Sequence, residues 1–371
     1  MKPLKQWIST FLPSIKQAPH PAPSANPFLA RLGKFRPQLA ALGLLGALSL
    51  PALSFEVVYF YPDSKWRDVN QFLKNDDGSW KADWMQSPIT SVVYFTGNAI
   101  DDDGQLIRLS EDRLKTLATL KHWAKSSTHP RRVYLSFAAN PQTKESALRN
   151  PELAKAVARY IREVGVDGMN LDLEYPQTAS QRDAAWIFTR GLRVALDGTN
   201  SRNWTTHLSF DVGRDNWMSA PHGQVTPVQA VNGVTHWFGL MSYGGGSVNS
   251  FDSLKRFAEE FQAKSSASPQ YNLKKRMVIG LPFYGNTRNL GDICYSTLVK
   301  GIENLSPRTD VVTHRGEPFA INGVDTISKK VAWAKSQGYA GVMTWHWGCD
   351  FVPSDPRSLT GAIGRTLRAS K

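Results

Sequence analysis

Residues 166–174 read Val-Asp-Gly-Met-Asn-Leu-Asp-Leu-Glu. Asn170, Asp172 and Glu174 take every second position, and Met169, Leu171 and Leu173 take the alternate ones. On a strand, successive side chains point to opposite faces, with like-facing neighbours about 6.8 Å apart. One face therefore carries an amide and two carboxyls while the other is purely apolar. The stretch contains no lysine or arginine that could turn the pair into an internally satisfied ion cluster. Like charges held this close, on a face that a fold must bury, raise a carboxyl pKa. The chemistry this spacing implies is that of a poised general acid with a second carboxylate beside it.

The elements needed to hold that face recur along the chain. Short β-branched and aromatic runs fall at 56–61, 91–96, 132–137, 168–174, 206–212, 237–243, 277–284 and 341–347. Several are continuously apolar, the pattern of parallel strands covered by helices. Between them lie helical segments. Asn150-Pro151 caps and starts one with Leu153, Val157, Ile161 and Val164 in helical spacing up to Gly165, and Ser110 precedes another. Further helices are predicted over 181–196, 253–264, 326–337 and 358–368. Eight alternations point to a (β/α)₈ TIM barrel of the α/β class, a single domain over 55–371. An open doubly wound sheet is the alternative, but no Gly-x-Gly-x-x-Gly follows the first strand. The stretch 286–324 reads as an elaborated loop after the seventh strand.

Chemistry in such barrels collects at the carboxyl ends of the strands. Glu174 is expected at that mouth, with Asp172 and then Asn170 deeper. Aromatic residues fall at other strand ends: Tyr59 and Tyr61, Phe95, Tyr243, Tyr284, Trp345 and Trp347. An aromatic cleft with a few carboxylates suits the apolar faces of sugar rings.

Residues 1–54 hold six Lys/Arg and no acid, and end in the apolar run 39–50 followed by Pro-Ala-Leu-Ser. This layout predicts an export leader ending near Ser54, and hence a secreted or periplasmic protein without stable membrane association after cleavage. An uncleaved anchor is the competing reading of so long a basic region. The whole chain carries a formal net charge of +13, of which the leader supplies six. The rest is spread without a Lys/Arg block, which argues against a nucleic-acid site. No Cys-x-x-Cys or His-Glu-x-x-His spacing calls for a metal. Cys294 and Cys349 are the two cysteines, and in an exported chain they predict one disulfide. In the barrel reading they follow neighbouring strands, the seventh and eighth.

The segment Asp167–Glu174 resembles the catalytic signature of family 18 glycoside hydrolases, the chitinase family, in its Asp-Gly-x-Asp/Asn-x-Asp-x-Glu form. Phe95 followed by Ile100-Asp101-Asp102-Asp103-Gly104 resembles the family's second strand and loop. Met241-Ser242-Tyr243 resembles its sixth-strand Met-x-Tyr motif, Gly280–Gly285 its seventh strand and Gly341–Trp345 its eighth. The resemblance implies Glu174 as the general acid and Asp172 as the group orienting a substrate 2-acetamido arm. Tyr243 would bond that arm, and Trp345 would form the floor beneath the sugar. Asn170, Phe95, Tyr59 and Met241 complete the expected substrate-binding set. The implied reaction is substrate-assisted, retaining hydrolysis of β-1,4-linked N-acetylglucosamine polymers, with no cofactor and no second catalytic carboxylate.

Two departures bear on the substrate. Ser136-Phe137-Ala138-Ala139 stands where the family has Ser-x-Gly-Gly, and Gly244-Gly245-Gly246 follows Tyr243 where many chitinases place Asp. The connection after the seventh strand looks too short for the family's large α+β module, so an open cleft with endo action is expected, in a monomer. The alternatives are an endo-β-N-acetylglucosaminidase acting on glycoprotein or cell-wall glycans, and a non-catalytic chitin-binding lectin.

Overall fold

A computed structural model describes residues 55–63, 68–198, 204–213, 233–244, 249–265, 273–287 and 289–369. The leader lies outside the described residues, as do Gly245 and Gly246 of the triple glycine. Eight parallel strands close a barrel in the order β1-β12-β7-β6-β5-β4-β3-β2. They are β1 (Glu56–Pro62), β2 (Ser91–Phe95), β3 (Arg132–Ala139), β4 (Gly168–Leu173), β5 (His207–Val212), β6 (Trp237–Leu240), β7 (Met277–Pro282) and β12 (Gly341–Trp345). Each coincides with one of the eight predicted runs.

Strand parity sorts the side chains. Met169, Leu171 and Leu173 of β4 and Leu208, Phe210 and Val212 of β5 join the core between barrel and helices. Val58, Phe60, Val93, Tyr134, Trp237, Val278 and Met343 form a second apolar cluster that fills the barrel's interior. The surrounding helices begin and end where the sequence signals them. Asn150 Oδ1 accepts the Glu152 backbone N–H at 3.0 Å to cap Pro151–Val164, and Gly165 ends that helix at φ 61°. Ser110 caps Glu111–Lys125, and a Thr178/Gln181 capping box starts Ala179–Asp197.

The stretch after β7 corrects the sequence reading. It is not an irregular loop but a four-stranded antiparallel sheet in the order β10-β11-β8-β9. Its strands are β8 (Tyr284–Thr287), β9 (Gly291–Cys294), β10 (Val311–His314) and β11 (Glu317–Ala320), with a short helix Tyr295–Val299. Strands of four residues carry too little alternation to register as a pattern. Val312 and Phe319 of the sheet join the core cluster together with Leu298 of the short helix and Ile321 after β11. The Cys294–Cys349 disulfide ties β9 to the turn after β12. Among the described residues no helix is long and apolar enough to cross a membrane.

Candidate active site

The polar face of β4 runs from the barrel interior to its mouth. Asn170 is fully buried, whereas Asp172 and Glu174 are partly open to the cleft. Glu174 lies one residue past the strand's end, where the chain leaves the ladder. Beside it, Asn170 pairs in register with Ser209 of β5, and its Nδ2 donates to Ser209 Oγ at 3.1 Å.

Burial drives the electrostatics. It raises Asp172 well above the ordinary carboxyl range, and the nearby charges of Glu174 and Asp211 push the same way. Glu174 is also raised by burial, although contacts to Asp172 and Tyr175 pull it back. Among the described residues no lysine or arginine contributes to either shift. The result is a carboxyl that can keep its proton toward neutral pH beside a second one that competes for it.

The aromatic residues divide into two groups. Trp345 ends β12 facing the interior, with Phe95 edge-on at 5.2 Å and Phe60 at 5.8 Å between ring centroids. Met241 and Tyr243 pack against the same interior cluster. Tyr243 stands edge-on to Tyr284 at 6.3 Å. Its hydroxyl is held far above its usual pKa by burial, then by Asp211, Tyr284, Glu174 and Asp172, so it stays a neutral donor facing the carboxyls. Gly280 makes room for this ring, since a Cβ there would lie 2.6 Å from Tyr243 Cε1. Phe95, Met241, Tyr243 and Trp345 thus meet around the mouth with Asn170, Asp172 and Glu174.

Tyr59 does not belong to that group, which corrects its place in the expected substrate-binding set. Parity turns Val58 and Phe60 inward and Tyr59 outward. Tyr59 is completely buried beneath the C-terminal helix, and its hydroxyl donates to Thr360 Oγ1 at 2.9 Å. Tyr61 and Trp347 face the same way. Trp347 is packed among Phe72, Trp84 and Trp123 at centroid distances of 5.1–5.4 Å. These three aromatics support the barrel wall and do not line the cleft. Phe60, one residue from Tyr59, is the β1 aromatic that meets Trp345.

Two site residues escaped the sequence reading. Asp211 of β5 is 2 % exposed and faces the interior beside Asp172. Tyr175, next to Glu174, lays its ring on Gly213, where a Cβ would come within 2.4 Å of Cε1. Its hydroxyl is raised chiefly by burial and then by Glu174 and Asp172. The signal for Asp211 was present: Ser209-Phe210-Asp211 repeats the polar alternation of Asn170-Leu171-Asp172 one strand over. Two non-proline cis peptides, Glu174–Tyr175 and Trp345–His346, flank the mouth. The metal-like cluster found among the described residues, Cys294, His346 and Cys349, has both sulfurs engaged in the disulfide.

Solved structures share this fold. A chitinase from Bacteroides thetaiotaomicron superimposes with a TM-score of 0.63 at 22% identity, covering 85% of this chain and 96% of the other. Human YKL-39, described as a pseudo-chitinase with retained chitooligosaccharide binding properties, gives 0.62 at 13% identity, covering 85% and 100%. In sequence, a class V chitinase of Arabidopsis thaliana is 23% identical over 309 residues, covering 72% of this chain and 78% of the relative. The family model described as glycosyl hydrolases family 18 matches residues 56–350, from the first residue of β1 to just past the turn after β12, and the chain belongs to that family.

Proposed function

We propose that the chain is an exported, retaining glycoside hydrolase that cleaves β-1,4-linked N-acetylglucosamine polymers internally, with Glu174 as general acid. The observation that carries this reading is the Asp172–Glu174 pair, raised by burial at the barrel mouth with no cation contributing. A carboxyl kept protonated in this way has no evident structural use, and a general acid requires it.

In the proposed reaction Glu174 gives its proton to the glycosidic oxygen as the bond to the anomeric carbon breaks. The carbonyl oxygen of the substrate's own 2-acetamido group forms the new bond to that carbon. The cyclic oxazolinium ion carries positive charge, and Asp172, next along the strand, supplies the opposing charge where it develops. The Tyr243 hydroxyl donates to the acetamido group and aligns it. Trp345 supports the apolar face of the sugar, with Phe95 and Phe60 fixing its ring. Glu174, now a carboxylate, takes a proton from water as the water opens the ion from the face that the leaving group vacated. Two inversions give retention.

The Cys294–Cys349 disulfide suits an oxidising compartment and supports export through the leader. The β8–β11 sheet begins at Tyr284, whose ring stands edge-on to Tyr243, and in this reading it forms one flank of the substrate groove. A sugar-binding role without turnover is the second reading, because the YKL-39 fold relative is described as a pseudo-chitinase. The retained Glu174 favours catalysis.

Product analysis tests the proposal when soluble chito-oligosaccharides, cell-wall glycan and a glycoprotein are incubated side by side. Internal cleavage of the chito-oligosaccharides is expected. Binding without products would replace the enzyme with a lectin, and release from the glycoprotein alone would move the substrate to protein-linked glycans.

A further inference from the structure

Three carboxyls meet inside the barrel, and the most buried of them has no role in the reaction as written. Extending the Asn170↔Ser209 and Leu171↔Phe210 register by one step sets Asp211 beside Asp172 on the interior face. On the other side β6 presents Gly239 in register with Asp211. A Cβ at Gly239 would fall 2.1 Å from Asp211 Oδ1 and 2.6 Å from the Met343 sulfur, so the Asp211 carboxyl fills the space that a side chain there would need. Buried oxygens of Asp211, Asp172 and Asn170, Oδ1 in each case, have no hydrogen-bond partner among the described residues. Asn170 also hydrogen-bonds the Asp211 carboxyl and pulls its pKa back, but a buried carboxylate oxygen left without a partner is costly unless that carboxyl carries a proton.

Among the described residues, the groups around Asp211 supply no cation. From β4 it meets Asn170, Asp172 and Glu174, from the chain after β6 the neutral Tyr243, from β6 itself a glycine, and from β12 Met343. No described lysine or arginine contributes to its environment, and burial raises it well above the carboxylate range against the pull of a hydrogen bond with Asn170. Of the two aspartates, Asp172 is partly open to the cleft and Asp211 is 2 % exposed. Ionisation therefore costs most at Asp211.

We propose that Asp211 is a positioning residue that stays protonated at the working pH and donates that proton as a hydrogen bond to the buried oxygen of Asp172. Held from the neighbouring strand in this way, Asp172 keeps its negative charge and its orientation toward the acetamido group. Asp211 itself touches no substrate atom. The site then runs with one charge at its centre and two protons, one on Glu174 for transfer and one on Asp211 that never leaves.

The kinetic consequence rests on the hydrolase reading, but the protonation state does not. Asp211→Asn keeps the shape, neutrality and a donor, whereas Asp211→Ala removes the donor. The account expects Asp211→Asn to keep kcat within about threefold, and Asp211→Ala to lower kcat by on the order of 10² with KM little changed. An Asp211→Asn loss as deep as that of Asp211→Ala would mean that the ionised form is needed and would overturn the proposal. So would full activity in Asp211→Ala. Infrared difference spectra of the intact protein, wild type minus Asp211→Asn at pH 7, read the same point without turnover. A protonated-carboxyl C=O band that disappears in the variant is expected, and a carboxylate band in its place contradicts the proposal even if the protein hydrolyses chitin. Equal melting temperatures of wild type and Asp211→Asn establish that both are folded for the comparison.

Discussion

The two ends of the barrel bury charge in opposite ways. At the amino end Glu56, 1 % exposed, accepts from Thr90 Oγ1 at 2.5 Å, Ser91 Oγ at 3.2 Å and Arg132 Nη1 at 3.0 Å. Arg193, equally buried, donates to Asp197 Oδ2 at 2.7 Å and to the carbonyls of Thr206 and Val234 at 2.9 Å, and lies over Trp204. At the carboxyl end Asp172, Glu174 and Asp211 crowd together, and buried oxygens of Asp172 and Asp211 are left bare. A buried charge with its full set of partners is architecture, whereas one held without them is kept at a cost in stability for the chemistry it allows.

Removing a proton donor from the mouth should produce the largest effect. Glu174→Gln preserves shape and polarity but has no proton to transfer, so kcat should fall by about 10² to 10⁴ while oligosaccharide binding persists. Steady-state kinetics and calorimetric titration check both halves. The same variant should melt at a higher temperature than wild type at pH 7. Each unit by which the fold raises a carboxyl pKa costs about 1.4 kcal/mol once the unfolded chain is ionised. A variant both inactive and less stable would erase the contrast between the ends.

The amino end should respond in the opposite sense. Arg193→Met leaves Asp197 buried without its partner and bares two carbonyls, for an expected loss of about 3–5 kcal/mol in denaturant unfolding. The folded fraction should keep its kcat, because the change lies at the far end of the barrel. A matching loss of turnover per folded molecule would show the two ends to be coupled.

How far the sequence foretold this contrast differs from strand to strand. On β4 the strict alternation of polar and apolar residues left one assignment of faces, so Asn170, Asp172 and Glu174 fall where expected. On β1 the run Val57-Val58-Tyr59-Phe60-Tyr61 is apolar throughout and gives no hint of which aromatics face inward. The outward turn of Tyr59 is fixed by packing under the C-terminal helix, a contact more than 300 residues away in sequence. Asp211 was missed although His207, Ser209 and Asp211 alternate with Leu208, Phe210 and Val212, because one acid among them matches no motif and its meaning comes from the register with β4. The β8–β11 sheet was missed because its strands are short and are held by pairing across the connection.

A smaller effect separates the ends by pH. His207 and His236 stack at 4.2 Å near the amino end, and burial above all holds them down at about 4 and about 2. Both are neutral in the fold, while the unfolded chain takes up protons near 6.5. Their contribution is therefore fully present above pH 6.5 and is lost as pH falls toward 4. The mouth carboxyls, raised in the fold, have the opposite slope and cost stability as pH rises. Melting temperatures across this range should fall on the acid side in both wild type and Glu174→Gln. The advantage of the variant should grow toward neutral pH.

The central claim, that the mouth holds one transferable proton and leaves the nucleophile to the substrate, is tested most directly by proton NMR of the first-formed product from a chito-oligosaccharide. The account predicts a new reducing end that appears as the β anomer and only later mutarotates. It also predicts no cleavage where the sugar at the cleavage point lacks its acetyl group. An initial α anomer, or efficient cleavage at a deacetylated sugar, would contradict it.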